Sequence, residues 1–537
     1  MRRNEQVVRI SSQVSEMPIS HTEPMPKTPS DKLYNLIKSL SSAEKRYFKL
    51  FINSKDASNS KYLQLFDAIY AQEEFDDEAL RLEIYGNEPV ESRKFSELKA
   101  YLYQLVLKSL ESYDEKSSID YRLKGYLLGV RTLFRRSFFD NCKDLLYKAK
   151  KVATEYEHFT SLIEILEWEK RIAYAQTDIA WLDRELRRIS EEEAHWANCL
   201  SNFVAYRNLF FNMLLNVRKE VSRSPEQLAQ MRKLMEHPLM QDESQALSFS
   251  ARVMYHRINS IYLFTASEFE AFYQSSKRLV ELMESHPRLL KEDVSEYISA
   301  LNNHIISCGR LQRYGEVEQT LEKLKAVKPL TKDDEAKIHR QYYQNKFRLC
   351  ISSGDFTEGK KALEEHLREA EKFDQAQFSK SNFYLQYFCI YFGCGEYEKA
   401  LDALNDWLSL TGSVERKDLQ SLARILNLII HYELGNSLLL ESLLRSTYRY
   451  LSRENRLSEF ERKMMTFIRD MNKPLTKKER AASFEAVKEE FGQLQSQPAH
   501  SVFELFDIMS WIESKVSGKP FSQVVKERFQ KETGKAG

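Results

Sequence analysis

Apolar residues recur at three- and four-residue spacing along most of the chain, the period of helices that bury one face. The clearest stretch is Gly395-Glu396-Tyr397-Glu398-Lys399-Ala400, continued by Leu404 and Trp407. A small residue ends one helix, an aromatic two positions later opens the next, and a small residue three further on lies against the previous helix. The spacing predicts a helix–turn–helix hairpin. The same arrangement is found with joints at Ser137, Thr177, Ser267, Gln312, Gly354, Gly395 and Gly435. Successive joints lie 40 to 45 residues apart, except for an interval of 90 between Thr177 and Ser267, read as two units with a less regular one near residues 217–236. A step of that size, kept over so long a stretch, indicates helical pairs stacked in an array.

The flanks read differently. Residues 1–29 mix Ser, Pro, Thr and charge without period and are expected to form a disordered tail, with Met25 a candidate alternative start. Residues 30–121 form an N-terminal helical module. In it Ser41-Ser42-Ala43-Glu44 is a capping box, and a long helix over 92–113 carries Phe95, Leu98, Leu102, Leu105 and Leu110 on one side. The repeats occupy 122–453. Residues 454–537 follow as a helical C-terminal cap, with helices near 458–471, 476–494 and 501–516 and a last one opening at Pro520. Within it, 503–512 is apolar all round and is expected to pack across the final repeat. The expected fold is all-α: an α-α superhelix with helical caps at both ends.

Here the residues resemble the tetratricopeptide repeat family. Gly354-Asp355-Phe356 and Gly395-Glu396-Tyr397-Glu398-Lys399-Ala400 look most like its turn and second-helix start. Ser137-Phe138-Phe139-Asp140-Asn141-Cys142, with Ala149, is a third match. The step exceeds the roughly 34 residues usual in that family, and the proline that closes each unit is mostly missing, which implies longer helices or joints.

Composition narrows the class. Gly (15) and Pro (12) are scarce in 537 residues, as a nearly all-helical chain requires. Lys+Arg (80) and Asp+Glu (79) nearly cancel, so no global charge pulls the chain to nucleic acid or to a membrane surface. No apolar run approaches the roughly 18–20 residues that span a bilayer, and the first residues lack a secretory signal pattern. The six cysteines form no CxxC pair and mostly occupy helix-core positions, which predicts reduced, buried thiols and a cytoplasmic location.

The residues carry no signature of catalysis. There is no Gly-rich phosphate loop, HExxH, GxSxG or paired CxxC. His304 and His366 sit in repeat helices without companions at metal spacing and are read as structural. Glu191-Glu192-Glu193 and Lys477-Lys478-Glu479-Arg480 read as solvated helix faces. Neither an enzyme nor a cofactor nor a metal site is expected.

Binding remains. The resemblance implies that the first helix of each pair lines a concave groove, with ligand-facing positions at Lys124, Arg131, Arg135, Glu164, Glu167, Arg171, Arg257, Asn302 and Arg310. Further along they fall on Gln341, Gln344, Arg348, Asn382, Leu422, Ile425, Ile429 and Tyr432. The front and middle are polar with an arginine excess, and the far end turns apolar. Arginine forks grip carboxylates with two parallel bonds, so the expected function is a non-enzymatic scaffold holding a protein or acidic peptide segment. The competing structural reading pairs these arginines with glutamates of neighbouring repeats. A second functional reading makes residues 30–113 a nucleic-acid reader through Arg93, Lys94 and Lys99 while the repeats bind a partner. Glu91 and Glu97 interrupt those cations, which favours a plain cap.

Overall fold

The computed structural model describes residues 31–53, 61–86, 92–114, 118–175, 179–219, 225–373, 383–409, 417–453, 459–495 and 506–534. The expected tail, Thr177, Asn382 and residues 503–505 lie outside them. Among the described residues every regular element is helical, so the fold is all-α. The chain divides into two compact units, 1–149 and 150–537.

In the first unit, α1 (Lys32–Ser39), α2 (Ser42–Asn53), α3 (Lys61–Ala71), α4 (Asp77–Tyr85) and α5 (Ser92–Asp114) close around Ile37, Phe48, Leu65, Phe66, Leu80, Leu102 and Val106. The capping box forms as read. The Ser41 amide donates to Glu44 Oε2 at 2.6 Å, and the Glu44 amide donates to Ser41 Oγ at 3.3 Å. Two orphan donors at the start of α2 are thereby satisfied. A hairpin follows, made of α6 (Ile119–Phe134) and α7 (Phe139–Glu155).

The second unit carries most of the array. Its helices are α8 (Phe159–Tyr174), α9 (Ile179–Lys219), α10 (Pro225–Met235), α11 (Phe249–Thr265), α12 (Phe269–Glu284), α13 (Pro287–Glu292), α14 (Val294–Arg310) and α15 (Tyr314–Ala326). There follow α16 (Lys332–Ser353), α17 (Phe356–Ala370), α18 (Phe383–Gly393), α19 (Tyr397–Ser409), α20 (Lys417–Glu433) and α21 (Ser437–Arg453). The chain ends with α22 (Glu459–Met471), α23 (Lys477–Gln495), α24 (Ile508–Ser517) and α25 (Phe521–Thr533). Contacts run between neighbouring helices in chain order, which fits a helical-repeat superhelix.

Each hairpin joint is a helix end of one type. Ser137, Ser267, Gln312, Gly354, Gly395 and Gly435 all have left-handed backbones, with φ between 57° and 76°. The amide after the left-handed residue reaches back to the carbonyl five positions earlier: Phe138 to Leu133, Glu268 to Leu263, Arg313 to Cys308, Glu396 to Tyr391 and Asn436 to His431, at 2.9–3.1 Å. This bond satisfies an orphan carbonyl and reverses the chain within a few residues. Close approach then selects small side chains. A Cβ on Gly359 would meet Cys350 and Ile390 at 3.1 and 3.4 Å, and one on Gly393 would lie 2.2 Å from the Phe356 ring. Ala400 is fully buried, as its place in the pattern requires.

The interval between Thr177 and Ser267 is not two hairpins. The 41-residue α9 crosses it, because no Gly or Pro occurs between residue 179 and Pro225 to end the helix. Two short 3₁₀ turns, Pro238–Met240 and Glu243–Gln245, then lead into α11. Nor is the acidic run on α9 a solvated face: Glu192 accepts from Lys150 at 2.7 Å and from Arg188 at 3.0 Å, and Glu193 accepts from Lys170 at 2.5 Å. Glu157, itself left-handed (φ 50°), accepts from the amides of Phe249 and Ser250 at 2.7 and 2.8 Å and so caps α11 from 92 residues away.

The C-terminal segment does more than cover the last repeat. Trp511 Nε1 and Lys515 Nζ each donate to Glu433 at 2.6 Å, beside the turn at Gly435. Phe506 packs on Phe388, Phe392 and Phe521, and Phe521 reaches Phe356. Helix α25 continues backwards along the array. Its backbone is so close to Gly354 that a Cβ there would sit 2.7 Å from Lys526 N. Phe529 meets Tyr314 at 4.6 Å between ring centres, and Glu532 accepts from Gln312 at 3.4 Å. The segment therefore visits the turns at Gly435, Gly395, Gly354 and Gln312 in reverse order. Phe506, Ile508, Trp511 and Ile512 are all but fully buried, and such burial contributes about 1.5–3 kcal/mol per side chain.

Between α16, α17 and α18 lies a buried polar chain. Tyr387 Oη donates to His366 Nε2 at 2.5 Å, His366 Nδ1 contacts His339 Nε2 at 2.9 Å, and His339 Nδ1 faces Glu369 at 3.4 Å. With Tyr387 as the first donor and Glu369 as the last acceptor, every proton in the chain can point the same way. Burial pushes the His366 pKa from 6.5 down to about 3, helped by His339, and burial lowers His339 against the pull of Glu369.

Two outcomes follow for urea unfolding. Gly395→Ala meets no neighbouring atom and is expected to cost only the left-handed backbone penalty of about 1–2 kcal/mol. Gly354→Ala is expected to cost clearly more, because it also pushes α25 away. Equal losses would remove α25 from that turn. The second outcome concerns pH. Below 6.5 the unfolded chain protonates His366 while the fold excludes the proton until about 3, so stability is intact above 6.5 and is lost as pH falls. The slope is about 1.4 kcal/mol per pH unit for each such group, and His366→Gln is expected to flatten it by that amount. An unchanged slope would contradict the buried neutral chain.

Candidate binding face and cleft

The expected groove residues are distributed over both compact units. Lys124, Arg131 and Arg135 are exposed on α6 in the first unit, with Lys124 paired to Asp120 at 2.5 Å. Arg171 on α8 is exposed, pairs with Glu167 at 3.1 Å and lies 4.9 Å over Trp168. Glu164 shares α8, and the other described positions fall along α11, α14, α16 and α20.

Between α11 and α18 these side chains stitch neighbouring first helices together. Arg257 reaches Glu296 on α14 at 2.7 Å and covers the Phe210 ring at 4.0 Å. Burial pushes Arg257 down and Glu296 up, while their attraction opposes both shifts. Lys337 Nζ on α16 donates to Ser295 O, Ser295 Oγ and Ser299 Oγ at 2.6–2.8 Å. Asn345 donates to Asn302 at 2.8 Å and accepts from Arg348 at 2.9 Å, and Gln386 on α18 donates to the Gln344 carbonyl at 2.9 Å. Arg310 stands 5.3 Å over Phe269 and 6.0 Å over Phe264. Each such half-buried bond contributes about 1 kcal/mol. Arg257 is thus engaged with a glutamate of the next repeat.

The far end is also unlike the expectation. Leu422, Ile425 and Ile429 are buried in the main core and line no groove, because α20 is packed by α19 and α22 as well as by its hairpin partner α21. Tyr432 of that group reaches a cavity. It borders a cleft of about 750 Å³ around the turn at Gly435, walled by the ends of α20 and α22 and the starts of α21, α23 and α24's last turn.

The cleft is polar and cationic. Lys473, Arg480 and Lys515 line it together with Glu433, whose oxygens are held by Trp511 and Lys515, and Lys473 pairs with Asp470 behind the rim at 2.7 Å. Arg480 hydrogen-bonds the Tyr432 phenol, whose pKa burial raises and the guanidinium pulls back. Asn436 Nδ2 donates to His431 Nδ1 at 3.0 Å, and burial keeps that imidazole below its ordinary pKa and hence neutral. Asn472 ties the rim by donating to the Ser437 carbonyl at 3.1 Å. The amino end of α21 adds its partial positive charge. Leu438 next to it is 94% exposed, and Leu439 is exposed as well.

The basic positions of the N-terminal module are partly neutralised: Arg93 pairs with Glu97 at 2.9 Å and Lys99 with Asp77 at 2.5 Å. All six cysteines are free thiols, five of them buried. No described helix is long and apolar enough to cross a membrane. His304 differs from its reading, since Cys308 lies one turn on and Glu316 approaches from α15. The His–Cys spacing of four was visible in the chain; the approach of Glu316 needed the hairpin. Arg480 was missed because Lys477-Lys478-Glu479-Arg480 carries no mark of the cleft that folds around its last member.

The fold and the stitched first helices define a helical-repeat protein. No protein-family model, curated protein or solved structure matches the chain.

Proposed function

We propose that the chain is a non-enzymatic scaffold that binds a segment of a partner protein, and that the cleft beside Gly435 takes an acidic part of that segment. The observation that carries this reading is the charge of the cleft, where three cations, Lys473, Arg480 and Lys515, meet two carboxylates, Asp470 paired with Lys473 and Glu433 tied by Lys515. A carboxylate entering there gains charge-assisted hydrogen bonds, and the exposed Leu438 and Leu439 offer apolar contact beside them. The titratable groups that could serve catalysis are already committed: Glu433 to Trp511 and Lys515, His431 to Asn436. Binding rather than turnover suits that arrangement. A cytoplasmic setting belongs to the same proposal and rests on the free, mostly buried thiols.

Random-peptide display on the full chain tests it, with selected peptides re-measured by fluorescence anisotropy. Selected sequences are expected to be rich in Asp and Glu and to bind more weakly as salt rises. Both Lys473 and Arg480 are exposed and their bonds to Asp470 and Tyr432 are surface contacts, so Lys473→Gln with Arg480→Gln is expected to lower thermal stability only slightly and weaken binding about tenfold or more. Neutral peptides, or equal binding by the double variant, would defeat the proposal.

A further inference from the structure

A second chemistry lies in the α14–α15 hairpin. His304 and Cys308 are one helical turn apart on α14, so their side chains share a face, and the left-handed turn at Gln312 returns Glu316 to the same place. Cys308 Sγ is 3.6 Å from His304 Nε2, and one ligand atom from each of the three residues lies within 4.8 Å of the others. Zn–S of about 2.3 Å and Zn–N of about 2.0–2.1 Å at a tetrahedral angle place sulfur and nitrogen about 3.6 Å apart. The Cys308–His304 edge already has that length. Closing the carboxylate edge needs only a side-chain movement of Glu316, which is half-exposed.

The surroundings orient the ligands. Ser276 Oγ lies 3.0 Å from the Tyr273 carbonyl, 3.1 Å from His304 Nδ1 and 2.8 Å from Ser307 Oγ; with its proton on the Tyr273 carbonyl it accepts the imidazole N–H of Nδ1. In that tautomer the Nε2 lone pair faces Cys308, as a metal requires. Glu316 accepts from Tyr273 Oη at 2.8 Å and is steadied by Arg313 at 3.4 Å. Outer partners of this kind hold ligands in place at metal centres.

We propose that His304 Nε2, Cys308 Sγ and a Glu316 oxygen form a zinc site, with the fourth position open to water. On binding, the Cys308 S–H bond breaks, its proton leaves to solvent and an S–Zn bond forms; no electron changes hands. The thiolate and the Glu316 carboxylate together balance the two charges of the ion, and the metal pins the two helices of the hairpin to each other.

The test uses the full chain, stripped with chelator under reducing conditions and titrated with zinc chloride against a chromophoric competitor. About one zinc per chain is expected to bind tightly, and cobalt(II) in its place is expected to show thiolate-to-cobalt charge-transfer absorption. Cys308→Ser is expected to abolish that absorption and Glu316→Gln to weaken zinc about a hundredfold, while Cys350→Ser, at a buried thiol elsewhere, changes neither. Glu316 is only half-buried, so its variant keeps the test valid should Cys308→Ser fold poorly. Absence of the cobalt absorption in the wild type, or zinc retained unchanged by Glu316→Gln and Cys308→Ser, would overturn the site.

Discussion

The left-handed residue that ends each first helix is the constraint on which the rest depends. It permits the amide after it to reach back five residues, and that bond turns the chain so sharply that the second helix must lie against the first. The neighbour contact then selects Gly359, Gly393 and Ala400. Where the residue is Gly the conformation is free of cost; at Ser137, Ser267 and Gln312 the surrounding packing must offset a penalty of about 1–2 kcal/mol. The use of non-glycine residues at those joints shows that packing, more than local preference, holds the hairpins.

The same turns form a row, and the C-terminal segment is seated on it. An array of helical pairs leaves its last apolar face open to water unless something covers it. Here the cover is α22 to α24, followed by a return of α25 along the edge to Gln312, more than two hundred residues earlier in the chain. Two different solutions therefore hold neighbouring repeats together. Polar stitches join α11, α14, α16 and α18, whereas an aromatic cluster around Phe392, Phe506 and Phe521 locks the far repeats to the chain end. The cleft at Gly435 is a by-product of the second solution, since α20 to α24 meet there without filling the space.

Local chemistry was legible in the chain, and tertiary return was not. The turns at Ser137, Gly354 and Gly395 announce themselves through a small residue, an aromatic and a second small residue at fixed offsets, and those at Ser267, Gln312 and Gly435 keep part of that pattern. Ser41 and Glu44 announce a helix start in the same way. The uninterrupted α9 was hidden by the assumption of a constant step, although the absence of Gly and Pro from 179 to 224 carried the signal. Leu422, Ile425 and Ile429 carry the helical period of a half-exposed face, and the packing of neighbouring helices, α22 among them, makes that face interior. Arg257 could not be assigned from its own position, because its partner Glu296 belongs to another helix. The convergence of Lys473, Arg480 and Lys515 likewise depends on three elements whose meeting no local pattern encodes.

Native-state hydrogen exchange measured residue by residue on the full chain tests most directly whether the C-terminal segment is part of the repeat core. If Glu433, Phe392 and Gly354 seat it as the packing indicates, amides of α24 and α25 should open with the same free energy as those of α18 and α20, as one cooperative unit. Exchange of α24 and α25 through a separate, low-energy opening, while α18 and α20 stay protected, would contradict this and reduce the segment to an appended end.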